Sequence, residues 1–428
     1  MKTVLFTNYR SSPVEREAPF KEARALGYTI VLTHPNRSDI PIEVATHVDH
    51  IIKSDPNNVD ETFDKVIAFN SDVLSIDGAF SWTDRDVILV AKIGEKLALP
   101  TLPEDAALKV RNKYYFRKAV EHLDVCPKFQ SVKTLEELKH AANTIGFPAI
   151  FKPVGASGSK GIFRVDKSTD LKQLFDEMLK ATHPNSNPIY AKFPNHYIYE
   201  SYIEGQEICI DGLVHNNEIV MVGITDKAIS SKWSFETKAT FPTKLPNTAQ
   251  MNILENARKV IAALTLENAA FHLEARFSNT SGFKVLECAG RPPGGLLTTH
   301  VYSLALGGYP WLQRILQSGC RDKRFKFDMP KPSACAGIGL LFSKKEGCLT
   351  SLNISHTANV DGIEFGFPVA KLDEKILLPP SGFSPLLACF IAKGDTYEKV
   401  NNIIDKAMDK TTYETTPFKH DSVTASYG

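Results

Sequence analysis

Short apolar runs alternate with stretches of helical spacing through the first hundred residues. Positions 4–7, 29–33, 48–52 and 73–77 read as strands. Positions 13–26 (ended by Gly27), 59–69, and 84–99 (stopped by Pro100 and Pro103) read as helices. This alternation predicts an open parallel β/α sheet. No GxGxxG follows the first strand, where Thr7-Asn8-Tyr9-Arg10 stands, so the usual dinucleotide fingerprint is absent.

From Glu104 a single long helical stretch, DAALKVRNKYYFRKAVEHL, leads into a smaller α+β segment with a helix at 135–144, a strand at 149–152 and a helix at 171–180. Residues 183–196 are rich in proline and asparagine and read as a connection. Strand patterns then dominate to about residue 310, in YIYESYI, EICIDGLV, EIVMVGITD and FHLEARF followed by FKVLECA, with one helix at 247–266. The rest is mixed, with a helix expected at 395–410. The fold class is multidomain α/β and α+β, divided at 1–103, 104–195 and 196–428.

Composition narrows the function classes. The 428 residues are 43% apolar and 23% charged, and 50 basic against 49 acidic residues leave a net charge of +1. A nucleic-acid or anionic-membrane partner would favour a basic stripe, and none is present. No apolar run is long enough to span a bilayer, and the opening MKTVLFTNYR lacks the apolar core of a secretory signal. Seven cysteines stand singly, with no CxxC. They read as free thiols of a reducing cytoplasm, Cys209 and Cys389 as buried small hydrophobes.

Two glutamates thirteen residues apart carry the main chemical signal, in FHLEARFSNTSGFKVLECAGR. Residues 279–282, Asn-Thr-Ser-Gly, are turn chemistry between two strands. A hairpin folded about the midpoint of Thr280 and Ser281 sets Glu274 opposite Glu287, with Cβ atoms roughly 4.5–5.5 Å apart. Facing carboxylates repel, and a hard cation such as Mg²⁺, which takes oxygen ligands and shares them with phosphates, gives a reason for the pair. Arg291 shares their face by even spacing and precedes Pro292-Pro293-Gly294-Gly295, whose backbone amides could approach a carboxylate. His272 lies two residues before Glu274. It reads first as a hydrogen-bonded structural histidine, second as a substrate contact and third as a metal ligand.

A second signal is FKPVGASGSKG. Gly155, Ser157, Gly158, Ser159 and Gly161 form a loop between strands whose amides could fold over anionic oxygens, although it is no Walker A loop. Lys152 precedes it inside an apolar run. Facing inward it needs a counter-charge, for which a nucleotide phosphate serves; facing outward it is an edge-strand lysine. Lys113 lies in RNKYYFRK, a basic helix face of the ordinarily solvated kind, and Glu200 and Glu207 in ESYIEGQE read as solvent-facing strand acids.

Taken in order, RNKYYFR, GFPAIFKPVGASGSKGI, YIYESYIEGQEICIDG and FHLEARF…FKVLECAGRPPGG resemble the ATP-grasp superfamily of carboxylate–amine ligases. The match runs from about Leu102 to about Thr299. The resemblance implies two α+β lobes clasping ATP after an N-terminal β/α domain: a small lobe at 104–195 with the glycine flap, then a large lobe with a C-terminal extension. It implies that Lys113 and Lys152 contact the ATP phosphates under the 155–161 flap. Glu200 to Ile203 would meet adenine, Glu207 the ribose, and Leu286 would line the nucleotide site. Glu274 and Glu287 would hold Mg²⁺, with Mn²⁺ as a substitute, and Arg291 would stabilise a charged intermediate. Ala289 replaces an asparagine common in the family, a departure similar to the L-amino-acid ligase (dipeptide synthetase) branch, and RPPGG points the same way.

The expected activity joins an amino acid carboxylate to an amine, another L-amino acid, through an acyl phosphate, with release of ADP and phosphate. The partners are then ATP and amino acids, with a homodimer as the base-rate assembly. Pocket walls are expected at 81–84, 233–238 and 296–300, and acidic residues in the first two groups make a basic amino acid a candidate substrate. The alternatives are another carboxylate ligase, as in purine biosynthesis, a phosphotransferase, or a nucleotide-binding regulatory protein without turnover.

Overall fold

The apolar runs of the first hundred residues become four parallel strands, β1 (Thr3–Phe6), β2 (Thr29–His34), β3 (His50–Lys53) and β4 (Gly78–Phe80), in the order β3-β2-β1-β4. Helices α1 (Ala18–Ala25), α2 (Ile42–Ala45), α3 (Val59–Asp72) and α4 (Val87–Leu97) connect and cover them. This is a computed structural model, and it describes all residues except 159, 186–187, 231–234, 327, 379–384 and 419–428. The strand expected at 73–77 is not one. Asn58 caps α3, which runs on to Asp72, and β4 starts only at Gly78. A Cβ at Gly78 would lie 2.4 Å from the Gly319 carbonyl, so the close approach there requires glycine. The strand order reverses between β1 and β4, which leaves a crevice at their carboxyl ends.

The long helix expected from Glu104 is two, α5 (Glu104–Arg111) and α6 (Lys113–Val120). Asn112 is extended between them, and its side-chain oxygen accepts from the Tyr114 and Tyr115 amides, a helix N-cap in the middle of the run. The small α+β layer follows with β5 (Phe129–Val132), α7 (Leu135–Ile145), β6 (Ala149–Pro153), β7 (Phe163–Val165), α8 (Leu171–Ala181) and β8 (Tyr197–Ser201). Its antiparallel sheet has the order β5-β8-β6-β7. Phe151, Tyr197, Tyr199, Leu174 and Met178 form its core.

The large layer is built on β9 (Gln206–His215), β10 (Glu218–Ile229), β12 (Ala270–Ser278) and β13 (Gly282–Ala289), in the order β13-β12-β9-β10. Strand β11 (Glu236–Phe241) and helix α9 (Asn247–Ala263) come between β10 and β12 in the chain. Ile253 and Val260 of α9 pack on Phe271, Leu273, Val285 and Cys288. A π-helical turn, Leu297–Val301, runs into α10 (Tyr302–Ala305), and α11 (Trp311–Gly319) follows.

The described chain divides into two compact units, 1–226 with 242–332, and 227–241 with 333–428. The first holds the three sheets just described. The second contains β11, β14 (Cys335–Phe342), β15 (Gly347–Asn353), β16 (Ile363–Pro368), β17 (Lys375–Ile376), β18 (Leu386–Gly394), α12 (Tyr397–Lys410) and β19 (Thr412–Thr416). Its strands run β11-β14-β18-β16 and β17-β15-β19, and α12 packs Val400, Ile403 and Ile404 against Ala392. The divisions expected at 103 and 195 are not boundaries between these units. Among the described residues no helix is long and apolar enough to cross a membrane.

Candidate active site

Glu274 and Glu287 are directly paired across β12 and β13. The route differs from the simple hairpin. Ser278 pairs with Gly282 and Ala275 with Val285, so the turn centres on Thr280, and that register alone would set Leu286 opposite Glu274. The register shifts between Glu274 and Ala275, leaving Leu286 as an extra residue in β13. Core positions show the resulting change of parity: Phe283 and Val285 face the core, and the next to do so is Cys288. The bulge turns Glu287 onto the Glu274 face. The carbonyl of Leu286, which the notional nucleotide site included, accepts from Arg117 Nη2 at 2.9 Å.

That face continues onto β9, where Asp211 pairs with His272, Cys209 with Glu274 and Glu207 with Arg276. Arg276 Nη2 lies 3.3 Å from Glu207 Oε2, and its Nη1 donates to the Ile203 carbonyl at 2.7 Å. Glu207, expected at a ribose, thus meets an arginine on the neighbouring strand. His272 is held on both sides, with Nδ1 2.6 Å from Asp211 Oδ1 and Nε2 3.0 Å from Glu274 Oε1. Burial opposes a charge on this ring, but the Asp211 carboxylate and the hydrogen bonds to Asp211, Cys209 and Glu274 hold its pKa well above the usual histidine value.

Lys113 comes from α6 and Lys152 from β6 of the small layer. The break at Asn112 puts Lys113 at the start of α6, where its amide donates to the Val154 carbonyl at 2.9 Å. Its ammonium reaches Glu287 Oε2 at 2.7 Å and the Ala156 carbonyl at 2.6 Å. Lys152 does face inward, 6% exposed, and its counter-charge in the structure is Glu200, at 2.7 Å. Glu200 also takes Arg117 Nε at 2.6 Å. The solvent-facing reading of Glu200 is therefore overturned: at 3% exposure it sits between two cations. Burial alone would raise its pKa, and Arg117 and Lys152 outweigh it and bring it down to about 2.

The glycine loop leaves β6 under tight control. Arg111 Nη2 donates to the Gly155 carbonyl at 2.9 Å, and a Cβ on Gly155 would meet Phe193 at 2.7 Å. Gly158 and Gly161 have φ of 67° and 71°, which glycine adopts without strain. Ser157 lies between them and β6; Ser159 lies outside the described residues.

Arg291 follows the end of β13 and reaches the turn after β4, with Nη2 2.6 Å from Asp84 Oδ2 and Nη1 donating to the Pro292 carbonyl. Arg111 Nη1 lies 3.9 Å from the other oxygen of Asp84. Burial works against the charge of Asp84, but Arg291 and Arg111 hold its pKa well below the usual carboxylate range. Asp84 is thus neutralised by two guanidinium groups, and the inference from acidic pocket residues to a basic amino acid loses its basis there. Of residues 233–238, Trp233 and Ser234 lie outside the described residues and the rest belong to the other unit.

Sequence reasoning missed Arg10 and Glu15. Arg10 follows β1, where a dinucleotide fold carries its glycines. It pairs with Glu15 at 2.6 Å and donates to the carbonyls of Trp82 at 3.2 Å and Pro292 at 2.8 Å. Glu15 in turn accepts from the Leu296 amide at 3.1 Å. The loop holding Gly294 and Gly295 is therefore fastened to the carboxyl-end crevice between β1 and β4. Asp211, Arg111 and Arg117 were also unassigned; the even spacing of Glu207, Cys209 and Asp211 was the legible signal for the first.

A model of the ATP-grasp domain matches residues 145–300, and one of the ATP-grasp N-terminal domain matches residues 20–101, together more than half of the chain. The chain is 25% identical over 272 residues to the alanine–anticapsin ligase of Bacillus subtilis, covering 60% of this chain and 57% of that protein. It thus spans little more than half the length of that curated relative. An L-amino acid ligase structure from Bacillus licheniformis superposes with a TM-score of 0.80 at 20% identity, over 97% of this chain and 99% of that one. Phosphoribosylglycinamide synthetase from Anaerococcus prevotii superposes at 0.71 and 20% identity, over 97% and 100%.

Proposed function

Because this chain belongs to the ATP-grasp superfamily, we propose that it is an ATP- and Mg²⁺-dependent ligase joining the carboxylate of one amino acid to the amine of another, with ADP and phosphate as by-products. The observation that carries this reading is the facing pair Glu274 and Glu287, met by Lys113 at 2.7 Å from Glu287. Its oxygen-only donor set suits a hard cation. The similarity to alanine–anticapsin ligase and to an L-amino acid ligase supports the amino acid substrates.

Glu274 and Glu287 would hold Mg²⁺, which when bound would neutralise phosphate charge. Lys113 and Lys152 would position the triphosphate so that the substrate carboxylate attacks the γ-phosphorus and ADP leaves, a step that needs placement and charge neutralisation more than a nucleophilic side chain. The incoming amine then attacks the acyl carbon and expels phosphate. Arg291 and the amides of Gly294 and Gly295 would bind the developing oxyanion. Closure of the 155–161 loop would exclude water from the acyl phosphate.

The test is incubation with ATP, Mg²⁺ and a panel of amino acids, following ADP, AMP, phosphate and product mass. ADP and phosphate formed only with amino acids, together with a dipeptide mass, support the proposal; AMP and pyrophosphate refute it. The fold shared with phosphoribosylglycinamide synthetase favours a second reading, a carboxylate ligase acting on a nucleotide precursor. ADP and phosphate formed only when a phosphoribosylamine supplies the amine and an amino acid the carboxylate, with no dipeptide from any amino acid pair, would establish that one.

A further inference from the structure

Glu274 and Glu287 differ in what holds them. Glu287 leans on a lysine, whereas Glu274 ends a buried chain of hydrogen bonds. Asp211, fully buried, gives Oδ1 to His272 Nδ1 at 2.6 Å and accepts the Tyr302 hydroxyl on Oδ2. Tyr302 is also fully buried, with Thr225 Oγ1 3.1 Å from its hydroxyl. With Nδ1 fixed by Asp211, the imidazole can present only Nε2 to Glu274, and that nitrogen lies 3.0 Å from Oε1. One oxygen of the carboxylate is thereby pinned, and with it the plane of the group.

A buried histidine must satisfy both ring nitrogens, whatever its partners are. His272 has a carboxylate on each nitrogen, and the strand pairing of Asp211 with His272 builds this in at the backbone. We propose that His272, held by Asp211 and Tyr302, is a positioning residue that sets the Glu274 carboxylate for its divalent cation. Tyr302 opens α10 directly after the π-helical turn that follows the Arg291 and Gly295 loop. The same chain therefore ties the loop assigned to the acyl substrate to the cation ligand. Outer-sphere partners of this kind orient ligands and tune metal affinity. The proposal rests on the reading of Glu274 as a cation ligand.

The experiment titrates Mn²⁺ against the full chain with ADP, counting free Mn²⁺ by electron paramagnetic resonance, and measures metal-free ADP binding by calorimetry. His272→Asn is expected to weaken Mn²⁺ binding roughly 10–100-fold, with metal-free ADP affinity unchanged. Tyr302→Phe, which removes only a hydroxyl, should weaken it about 3- to 10-fold, and it carries the test alone if His272→Asn does not fold. Unchanged Mn²⁺ affinity in the folded variants overturns the proposal. So does a parallel fall in Mn²⁺ and metal-free ADP affinity, the mark of general damage. Glu274→Gln separates the two levels. If it leaves Mn²⁺ binding intact, the metal assignment fails as well; if it weakens binding while His272 and Tyr302 variants do not, only the positioning role fails.

Discussion

Glu274 faces Glu287 because Leu286 is one residue too many in β13. The bulge is what puts both carboxylates on the face reached by Lys113, and it hands the displaced Leu286 carbonyl to Arg117. Glu287→Gln is expected to keep the fold and lower turnover roughly 100-fold or more, because an amide lacks the charge a cation ligand needs. Circular dichroism with steady-state ADP release checks this; near-normal turnover would remove Glu287 from the metal site.

Glu200 sits between Arg117 and Lys152, so the three groups respond unequally to removal. Glu200→Gln leaves two buried cations without an anion, for an expected loss of about 3–5 kcal/mol in urea unfolding. Lys152→Met leaves the Arg117 pair in place and should cost less stability, while weakening ATP binding. Equal destabilisation by both would contradict this ordering.

Asp84, in the turn after β4, pairs with Arg291. Asp84→Asn keeps the shape but removes the charge that both Arg291 and Arg111 face, so Arg291 is expected to lose its fixed orientation. Amino-acid-dependent ADP release should fall roughly tenfold or more in kcat, with little change in the KM for ATP. A change confined to the KM for ATP would place Asp84 in nucleotide binding instead.

Asp86 supplies a pH dependence. It is 1% exposed, and burial raises its pKa to about 6 against the hydrogen bond from Thr83 Oγ1 at 2.8 Å. The folded state therefore binds this proton more tightly than the unfolded chain, so its contribution to stability falls as pH rises from about 4 towards 6. Asp86→Asn, which still accepts from Thr83, should be more stable than the parent at pH 7–8 by on the order of 1–3 kcal/mol. The advantage should vanish near pH 4; a gain constant from pH 4 to 8 would show that the carboxylate does not titrate there.

The local readings that succeeded were those fixed by near neighbours. Residues 271–277 and 283–289 form strands, the helix expected at 135–144 is α7, and the chain leaves β6 into a glycine-bearing segment at Gly155. The opposition of Glu274 and Glu287 came out right for a compensated reason: the turn centre was misplaced, and the bulge restored the pairing. The sequence alone did not mark Asn112 as a helix break, although an asparagine before two tyrosines can cap as readily as it can continue.

Periodicity, turn chemistry and motif order thus determined strands such as β1, β2, β12 and β13, the carboxylate pair, the glycine loop and the family. Tertiary structure alone decided the partners: Asp84 for Arg291, 207 positions away, Glu200 for Lys152, and Asp211 and Tyr302 behind His272. The physical reason is one of range. Strand and turn preferences act over a few residues, whereas a buried charge takes whichever opposite charge the folded layers bring within hydrogen-bond distance, and nothing near it in the chain records which one that is.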